Sequence, residues 1–568
     1  MPSAAAGCGC LATAERRSDP RLPSAYGQRR GSRHTGFVAP TSSRPAPADL
    51  VHGTFSENPP WLVEPDTFPW RRRVPALRAA TRRSVPELTT PGRVPPGLRV
   101  GRTVVELGGA VALWAVRARR GPDSKADISR RIRRAAERLG PTYIKLGQII
   151  SSGEGLFPAE LVAEFRKLRD QVPAEDWDVV RAVIEEDLGR PVDEVFSSID
   201  RTPLAAASIA QVHRARLRDG DVEVVVKVQR PSVASLVRRD LRVMSWIAPF
   251  LIGRIPVAAL ANPPALVELF AETITEELDF RVEAQNMLDV AASFGELGQD
   301  GFVIPRPHPT LVTRRVLVME RLDGFRFEDA AGMRGAGVDT AAVIRTGMIG
   351  FLEGCMIHGI FHGDLHGGNL FVRPDGRTAL LDFGITARMN PTERHAFLRL
   401  LMCASMNDVR GQLGALRDLG ALPPDTDLDA VIRDLQLDRP PVDPTTLTPD
   451  ELVGEIQRTI KQLLAYGARL PKTLMLFVKN LVFLDGAIAT LAPGLDLFAE
   501  ITHISMYFAT EHGNRIAAEL GVDPSTYRMD LDGLKAGFGV DPATTATLTY
   551  ADLQKRRDLI ASRLRDRA

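Results

Sequence analysis

The stretch HGDLHGGNLF, His362–Phe371, and the shorter LLDFG, Leu380–Gly384, form the most specific pattern in the chain. Asp364 stands five residues before Asn369, and Asp382 follows 18 residues after Asp364. Phosphoryl transfer from a nucleotide needs an acid that orients the acceptor and oxygen ligands for Mg²⁺ beside the phosphates. In protein kinases H-x-D-x-x-x-x-N followed by D-F-G supplies these groups. We therefore predict Asp364 as the catalytic residue, and Asn369 and Asp382 as Mg²⁺ ligands.

The same chemistry needs a lysine on a strand that contacts the nucleotide phosphates, and a helical acid that positions this lysine. The β-branched run in EVVVKVQ, 223–229, predicts a strand that carries Lys227. The segment EELDFRVEAQN, 276–286, offers the acidic partner, and four residues remain open as candidates. These are Glu276, Glu277, Asp279 and Glu283. Because the last of them lies far beyond the reach of a direct strand-to-helix link, we predict an insertion at about 232–275.

The phosphate-binding loop departs from that of a protein kinase. The glycine-rich G-x-G-x-x-G is absent, and the segment PLAAASIAQVH, 203–213, stands before the strand lysine. Glycine lets a backbone approach phosphates closely, whereas alanine restricts it. We expect nucleotide handling to differ from that of protein kinases. The predicted nucleotide-contacting residues of this loop are Ala205, Ala206, Ala207 and Ser208.

The order of helical and strand patterns predicts an α+β fold of two lobes. Residues 1–100 hold 15 arginines, no lysines and 7 acidic residues, and 15 of the 41 prolines lie before residue 97. We expect this region to be mostly disordered, since it has little apolar surface to bury. The further predicted units are a helical extension (101–194), a mainly β N-lobe (195–325), a mainly α C-lobe (326–510) and a helical tail (511–568).

Charge and composition exclude several classes of function. The net charge is +2, and because residues 1–100 contribute +8, the remaining chain carries about −6. This acidic bulk argues against nucleic acid as a partner. The four cysteines contain no C-x-x-C pair, so neither a zinc site nor a disulfide framework is expected, and a reducing cytoplasm is the simplest compartment.

Membrane association is left open by the sequence. No run of 18 apolar residues occurs, so we expect no membrane-spanning helix. The apolar stretch Val104–Val116 is followed by Arg117, Arg119 and Arg120. Such a stretch fits a helix at a membrane surface or a helix that packs in the core.

Taken in order, the motifs resemble those of the UbiB/AarF/ADCK atypical kinase-like family. The resemblance covers about residues 101–500 and adds a helical motif, K-x-G-Q, within YIKLGQIISSGEGLFP at 143–158. It implies a bilobal protein-kinase-like fold with a helix-rich C-lobe and an N-terminal helical extension. In this family the extension carries Lys145, Gly147 and Gln148 of the motif over the active site, where a protein substrate would bind.

The resemblance also implies roles for individual residues. Glu277 and Asp279 would be the E-x-D pair of the family, with Glu277 bonded to Lys145, and Glu283 would be the helical partner of Lys227. Met319–Leu322, including Glu320 and Leu322, would be the hinge that contacts adenine. Two departures from the family pattern are the missing arginine in SSGEGLFP and HGGN in place of the commoner HPGN.

The implied function is that of an atypical kinase-like protein that binds ATP and Mg²⁺ and acts as an ATPase or phosphotransferase. It would support isoprenoid quinone or lipid metabolism, with a lipid or quinone precursor as ligand. We expect a cytoplasmic location, peripheral at the inner face of the membrane. Two alternatives remain, a small-molecule phosphotransferase of the aminoglycoside- or choline-kinase type and a nucleotide-sensing scaffold without catalysis.

Overall fold

A computed structural model gives the architecture of most of the chain. It describes residues 61, 63–117, 124–151, 158–168, 173–251, 263–438, 451, 458–459, 462–463, 465–469, 471–523, 528–537, 540 and 547–565. Most of SSGEGLFP, the arginines at 119 and 120 and residues 1–60 lie outside this set.

Helices dominate the N-terminal third of the described chain. They are α1 (Val74–Thr89), α2 (Leu98–Arg117), α3 (Ser124–Leu139), α4 (Pro141–Ser151), α5 (Ala159–Phe165), α6 (Trp177–Leu188) and α7 (Val192–Val195). Gly189, with φ of +68°, ends α6 in the left-handed conformation that glycine adopts readily. The predicted helical character after residue 101 is therefore confirmed.

The expectation of disorder up to residue 100 is wrong for residues 63–100. Helix α1 buries Val74, Val85 and Leu88 in the main hydrophobic core of the protein. Three apolar side chains at helical spacing suffice to hold a proline- and arginine-rich segment, because they pack on helices from elsewhere in the chain. Composition averaged over the region hid this local amphipathic pattern.

A twisted antiparallel sheet follows the helices. Its strands are β1 (Phe196–Ile199), β2 (Ala205–Ala206), β3 (Ala210–Leu217), β4 (Glu223–Gln229), β6 (Pro307–Val312) and β7 (Val316–Glu320), in the order β1-β3-β4-β7-β6 with β2 beside β3; a short β5 (Phe302–Val303) lies outside this sheet. On β4, Val224, Val226 and Val228 point into a core that includes Ile184 of α6. Because side chains alternate along a strand, Lys227 points to the opposite face.

Three helices are described between β4 and the next strand, on either side of residues 252–262. They are α8 (Val233–Leu251), α9 (Pro263–Glu276) and α10 (Phe280–Glu296). Helix α8 packs on α1 and on the start of α2. The Ser245 hydroxyl donates to the carbonyl of Leu88 at 3.0 Å, and the fully buried Asp240 accepts from Arg99 of α2 at 2.6 Å. The segment predicted as an insertion thus joins α1 and α2 to the lobe that carries the sheet.

The C-terminal part is mainly helical with small sheets. Its strands are β8 (Phe325–Arg326), β9 (Ile360–His362), β10 (Leu370–Val372), β11 (Thr378–Leu380) and β12 (Thr386–Arg388). Its helices are α11 (Ala330–Gly335), α12 (Thr340–Glu353), α13 (Pro391–Ser405), α14 (Val409–Asp418), α15 (Leu428–Asp434), α16 (Lys472–Leu491), α17 (Leu497–Glu511), α18 (Gly513–Leu520), α19 (Leu531–Gly537) and α20 (Tyr550–Arg565). The predicted α+β architecture of two lobes is confirmed.

Among the residues that the structure describes, two helices of the C-lobe are long and apolar enough to cross a membrane by length and composition alone. They are Thr340–His358 and Lys472–Leu491, whose most apolar 18-residue windows are 56% and 39% buried inside the protein. Phe351 of the first stacks on Phe477 of the second at 5.4 Å between ring centroids, so the two helices contribute to one core.

Replacing Leu88 of α1 tests whether this helix is part of the folded core. We expect Leu88→Ala to lower the free energy of unfolding by about 2–5 kcal/mol, the usual cost of removing a buried leucine side chain. The exposed neighbour provides the control, since Glu87→Ala should change it by less than about 0.5 kcal/mol. Urea unfolding followed by circular dichroism measures both. Equal stability of the two variants would contradict the burial of α1.

Candidate functional site

A buried lysine joins the two lobes at the centre of the candidate site. Lys227 Nζ lies 2.8 Å from Oε1 of Glu283 and 3.0 Å from Oδ1 of Asp382. The lysine side chain is 9% exposed and the Glu283 side chain 3%. A charged amine in such surroundings is tolerable only with carboxylate partners, so these contacts fix β4, α10 and the loop after β11 relative to one another.

The geometry separates the four acidic candidates left open by the sequence. Glu283, in the first turn of α10, pairs with Lys227. Asp279 caps the same helix and accepts from the backbone amide and guanidinium of Arg281. Glu277 lies in the turn before it and pairs with a different lysine, and Glu276 is 3.9 Å from Lys472.

The loop after β9 presents Asp364 to the same space. His362 Nδ1 accepts from the amide of Asp364 at 3.1 Å, and its Nε2 therefore donates to the carbonyls of Leu381 and Asp382 at 3.0 and 2.9 Å. Asn369 donates its side-chain amide to the carbonyl of Asp364 at 3.1 Å. The histidine thus ties the Asp364 loop to the Asp382 loop, and the asparagine is turned with its amide nitrogen into the loop.

The Asp382–Phe383–Gly384 turn has an uncommon backbone conformation. Asp382 has φ of +56°, a region that costs energy for any residue with a Cβ. Phe383 is fully buried, its ring 5.0 Å from that of His362, and its carbonyl accepts from Asn286 of α10 at 2.9 Å. These contacts hold the Asp382 carboxylate, half exposed, toward Lys227.

Helix α4 of the extension brings a second lysine to the site. Lys145 Nζ lies 3.1 Å from Oε2 of Glu277, whose side chain is 4% exposed. Gly147 packs against Leu168 so closely that a Cβ would lie 2.3 Å from its side chain, which favours glycine at this position. Gln148, three residues after Lys145, is partly buried on the same helix.

The alanine-rich loop lies over the edge of the sheet. Ala205 of β2 is directly across β3 from Lys227, because both pair with Val212. Side chains in register on neighbouring strands share a face, so the loop and the lysine are on the same side of the sheet. The carbonyl of Ala207 accepts from Arg230 at 3.1 Å, and Ser208 is buried. Ala206 is partly buried beside them.

The segment between the lobes is well anchored. Glu320, the last residue of β7, is buried, and its carboxylate accepts from the amide of Arg306 at 3.3 Å. Leu322 packs in a small cluster with Val303 and Ala379, beneath the strand that leads to Asp382. Both residues therefore lie where the N-lobe sheet passes into the C-lobe.

Of the four carboxylates of the site, two have a raised pKa and two have a lowered pKa. Burial raises the pKa of Glu277 and of Glu283 to about 7, against the attraction of Lys145 and Lys227 respectively. Burial acts in the same direction on Asp382, but the charges of Lys227 and Lys145 outweigh it and lower its pKa to about 2. The pKa of Asp364 is likewise held well below its ordinary value, by Lys479 and Lys145 against burial.

Sequence reasoning missed part of the site. Helix α16 carries Lys479, which pairs with Asp364, and Asn480, which accepts from the amide of Leu365 at 3.2 Å and donates to the carbonyl of His362. The motif spacings do not point to this helix. The available signal was the pair Lys479–Asn480 inside the apolar run LMLFVKNLVFL, since buried polar residues need partners.

Asn369 and Asp382 fit a magnesium ion that is held together with nucleotide phosphates. Within the described ranges no group of three or more His, Cys, Asp or Glu side chains is placed to hold a metal. Mg²⁺ is commonly bound through one or two carboxylates with phosphate oxygens and water, so a hard-oxygen set of one carboxylate and one amide suits it. A zinc-type cage is not formed by these residues.

These features together define a kinase-like fold of two lobes. A strand lysine pairs with a helical glutamate, and between the lobes lie a loop with an aspartate and an asparagine and an aspartate–phenylalanine–glycine turn. The sequence model of the ABC1 atypical kinase-like domain matches residues 167–413. An uncharacterized Mycobacterium tuberculosis protein is 34% identical over 475 residues, which is 81% of this chain and 94% of the relative. The chain belongs to the ABC1 (UbiB/AarF) atypical kinase-like family.

Other relatives have kinase names. An uncharacterized aarF domain-containing protein kinase of the Arabidopsis thaliana chloroplast is 33% identical, with 65% of this chain and 73% of the relative covered. A probable protein kinase UbiB of Aeromonas salmonicida is 31% identical, with 66% and 69% covered. A solved Mycobacterium tuberculosis protein in complex with erythromycin gives a TM-score of 0.33 at 24% identity, over 61% of this chain and 91% of that one.

The raised pKa of Glu277 predicts a pH dependence of stability. From its ordinary value of 4.5 to about 7, the unfolded chain has released the proton while the folded chain keeps it, so rising pH costs the native protein stability. Glu277→Gln removes this cost. The stability of the variant relative to wild type should therefore increase from about pH 5 to about pH 8.

Urea midpoints at several pH values measure this difference. The matched control is Glu276→Gln at the neighbouring residue, whose side chain is 27% exposed, because it shows the general effect of removing a carboxylate from this segment. A difference for Glu277→Gln that is flat or decreases with pH would show that this carboxyl ionises normally in the folded protein.

Proposed function

We propose that the chain binds Mg-ATP between its two lobes and catalyses ATP hydrolysis or phosphoryl transfer. The observation that carries the proposal is the pairing of Lys227 with both Glu283 and Asp382, across from Asp364. This arrangement matches the group requirements of phosphoryl transfer from a nucleotide. Membership of the atypical kinase-like family supports it independently.

Each residue has a role in this proposal. Lys227 contacts the nucleotide phosphates from the N-lobe, and Glu283 fixes its amine. Asn369 and Asp382 would hold Mg²⁺, which when bound neutralises charge on the phosphate oxygens. Asp364 orients the attacking hydroxyl or water through a hydrogen bond. Its low pKa keeps it ionised, so it accepts that hydrogen bond over the whole neutral range.

The nucleotide is enclosed by three further segments. Ala205, Ala206, Ala207 and Ser208 face the phosphates, and Glu320 and Leu322 flank the adenine at the hinge. Lys145, Gln148 and Glu277 close the site from the extension. Lys145 is near enough to Asp364 and Asp382 to lower the pKa of each carboxyl, which supports a closed arrangement. A helix at this position disfavours a polypeptide acceptor and favours water or a small one.

Replacing Asp364 tests the catalytic proposal. We expect Asp364→Asn to lower kcat for phosphate release by about 10²-fold or more, because an orienting acid contributes on this scale. Binding of Mg-ATP by calorimetry should change by less than about 3-fold, since the interaction matters mainly in the transition state. Lys227→Met, in contrast, should weaken ATP binding itself.

The control is Asp375→Asn in the hairpin between β10 and β11, which should leave both measurements unchanged. Phosphate release from labelled ATP supports an ATPase, and a stable labelled small product supports the aminoglycoside- or choline-kinase type of transferase. Full biological activity of Asp364→Asn would favour the nucleotide-sensing scaffold. Failure of the wild-type protein to bind Mg-ATP would refute the proposal.

We also propose that the protein works at the inner surface of a membrane, on or with a lipid or quinone precursor. Helix α2 supports this, since its apolar residues Leu98, Val105 and Val116 are 97, 71 and 85% exposed. The sequence continues with Arg117, Arg119 and Arg120, whose charges would favour an anionic surface. An exposed apolar helix face with flanking arginines is typical of peripheral membrane binding.

Vesicle co-sedimentation measures membrane binding and so tests this proposal. We expect binding to vesicles that contain an anionic phospholipid and weaker binding to pure phosphatidylcholine, because lipid charge attracts the arginines. The double substitution Val105→Glu and Val116→Glu should reduce binding about 10-fold or more, since two charges oppose apolar insertion. Met506→Glu on α17, also at an exposed apolar residue, is the control. Equal binding by all variants would rule out α2 as the contact.

A further inference from the structure

A lysine and an asparagine of α16 bind the Asp364 loop from the C-lobe side. Lys479 Nζ forms an ion pair with Oδ1 of Asp364, and the side chains are 16% and 20% exposed. The next residue, Asn480, is fully buried and bonds the loop backbone on both sides of Asp364, at the His362 carbonyl and the Leu365 amide. Consecutive residues of one helix thus hold both the carboxylate and the backbone that carries it.

The surroundings of Lys479 make a lysine with a purely structural role energetically unfavourable. Between Leu474 and Leu484 the only polar residues of α16 are Lys479 and Asn480. A partly buried ammonium on an apolar helix loses solvation, and a surface salt bridge would not require such a location. The amine reaches the one carboxylate of the loop that the proposed reaction uses.

We propose that Lys479 is a positioning residue of the phosphoryl-transfer site: its ion pair holds the Asp364 carboxylate in the orientation that accepts the hydrogen bond of the attacking group. The inference rests on the proposed function. In the reaction, the acceptor oxygen bonds to the γ-phosphorus while the bond to the bridging oxygen of ADP breaks and its electron pair leaves with ADP. The acceptor proton passes to Asp364 or to water, and Lys479 stays protonated throughout.

Several charged or titratable groups act on Asp364 besides Lys479. Lys145 comes from α4, Glu277 from the turn before α10, Asp382 from the loop after β11, and His362 and His366 from its own loop. Lys479 is the group in direct contact with the carboxylate, and the attraction of its ammonium is larger than that of Lys145. Lys479 is therefore the group that can orient the Asp364 carboxylate directly.

Kinetics of the full-length protein with Mg-ATP test the proposal. Lys479→Met should lower kcat by about 10²-fold, the scale expected when a catalytic group is misplaced by about 1 Å, with KM for ATP within about 3-fold. A loss of kcat at nearly constant KM is the result expected when a catalytic group is misplaced, whereas collapse of the site would raise KM as well.

Two variants separate this role from a general effect on folding. Lys479→Arg keeps the charge that pairs with Asp364 and should restore most of kcat. Lys472→Met, at the start of the same helix, should behave as wild type. If wild type is active and Lys479→Met has the same kcat, the inference is wrong while the proposed function stands.

A double-mutant cycle tests the pairing without any turnover. Lys479→Met should destabilise the protein against urea in the wild-type background, and by clearly less in the Asp364→Asn background, since the neutral amide no longer needs the ammonium. Additive effects of the two substitutions would overturn the inference even if the protein proved inactive toward ATP. Inactivity of the wild type with a coupled pair would count against the proposed function alone.

Discussion

One buried amine, that of Lys227, constrains the site from both lobes. It bonds Glu283 on α10 and Asp382 on the loop after β11, so a shift of either lobe would leave a charge buried without its partner. Breaking a buried pair in this way is strongly destabilising, whereas the intact pair adds little stability by itself. Its main consequence is therefore geometric. The sheet, the helix and the loop have one arrangement in which all three charges are satisfied, and the candidate metal ligands inherit that arrangement.

Helix α10 connects the residues around Lys227 to helix α1. Three residues after Glu283 on α10, Asn286 donates to the carbonyl of Phe383, and its side-chain oxygen accepts from Arg78 of α1 and Arg388 of β12 at 2.7 and 2.9 Å. Burial, and then repulsion by Arg388, lowers the pKa of Arg78 to about 10. A segment with the composition of a disordered tail thus contacts the helix that positions the lysine and the turn that carries Asp382. Helix α1 therefore contributes to the contacts that hold the site together.

The sequence predicted the parts of this site that local spacing encodes. Asp364, Asn369 and Asp382 lie within 18 residues, and their relative placement follows from one loop and one hairpin. Residue spacing could not choose among the four acids near α10, because that choice depends on which helical turn faces β4; the family resemblance supplied it. Lys479 is 115 residues from its partner, and no local pattern links the two. Helix α1 was missed for a related reason, since its stability comes from packing on distant helices and not from its composition.

The four carboxylates show how one fold can divide acidic residues between states. Glu277 and Glu283 are almost fully buried, so desolvation prevails over the attraction of Lys145 and Lys227 and raises the pKa of both. Asp364 and Asp382 are more exposed, so the attraction of the nearby lysines prevails and lowers the pKa of both. The aspartates thus remain anionic where phosphate-bound metal and an acceptor would be, while the glutamates can change charge near neutral pH. The division follows from the depth of burial, because both pairs use the same functional group.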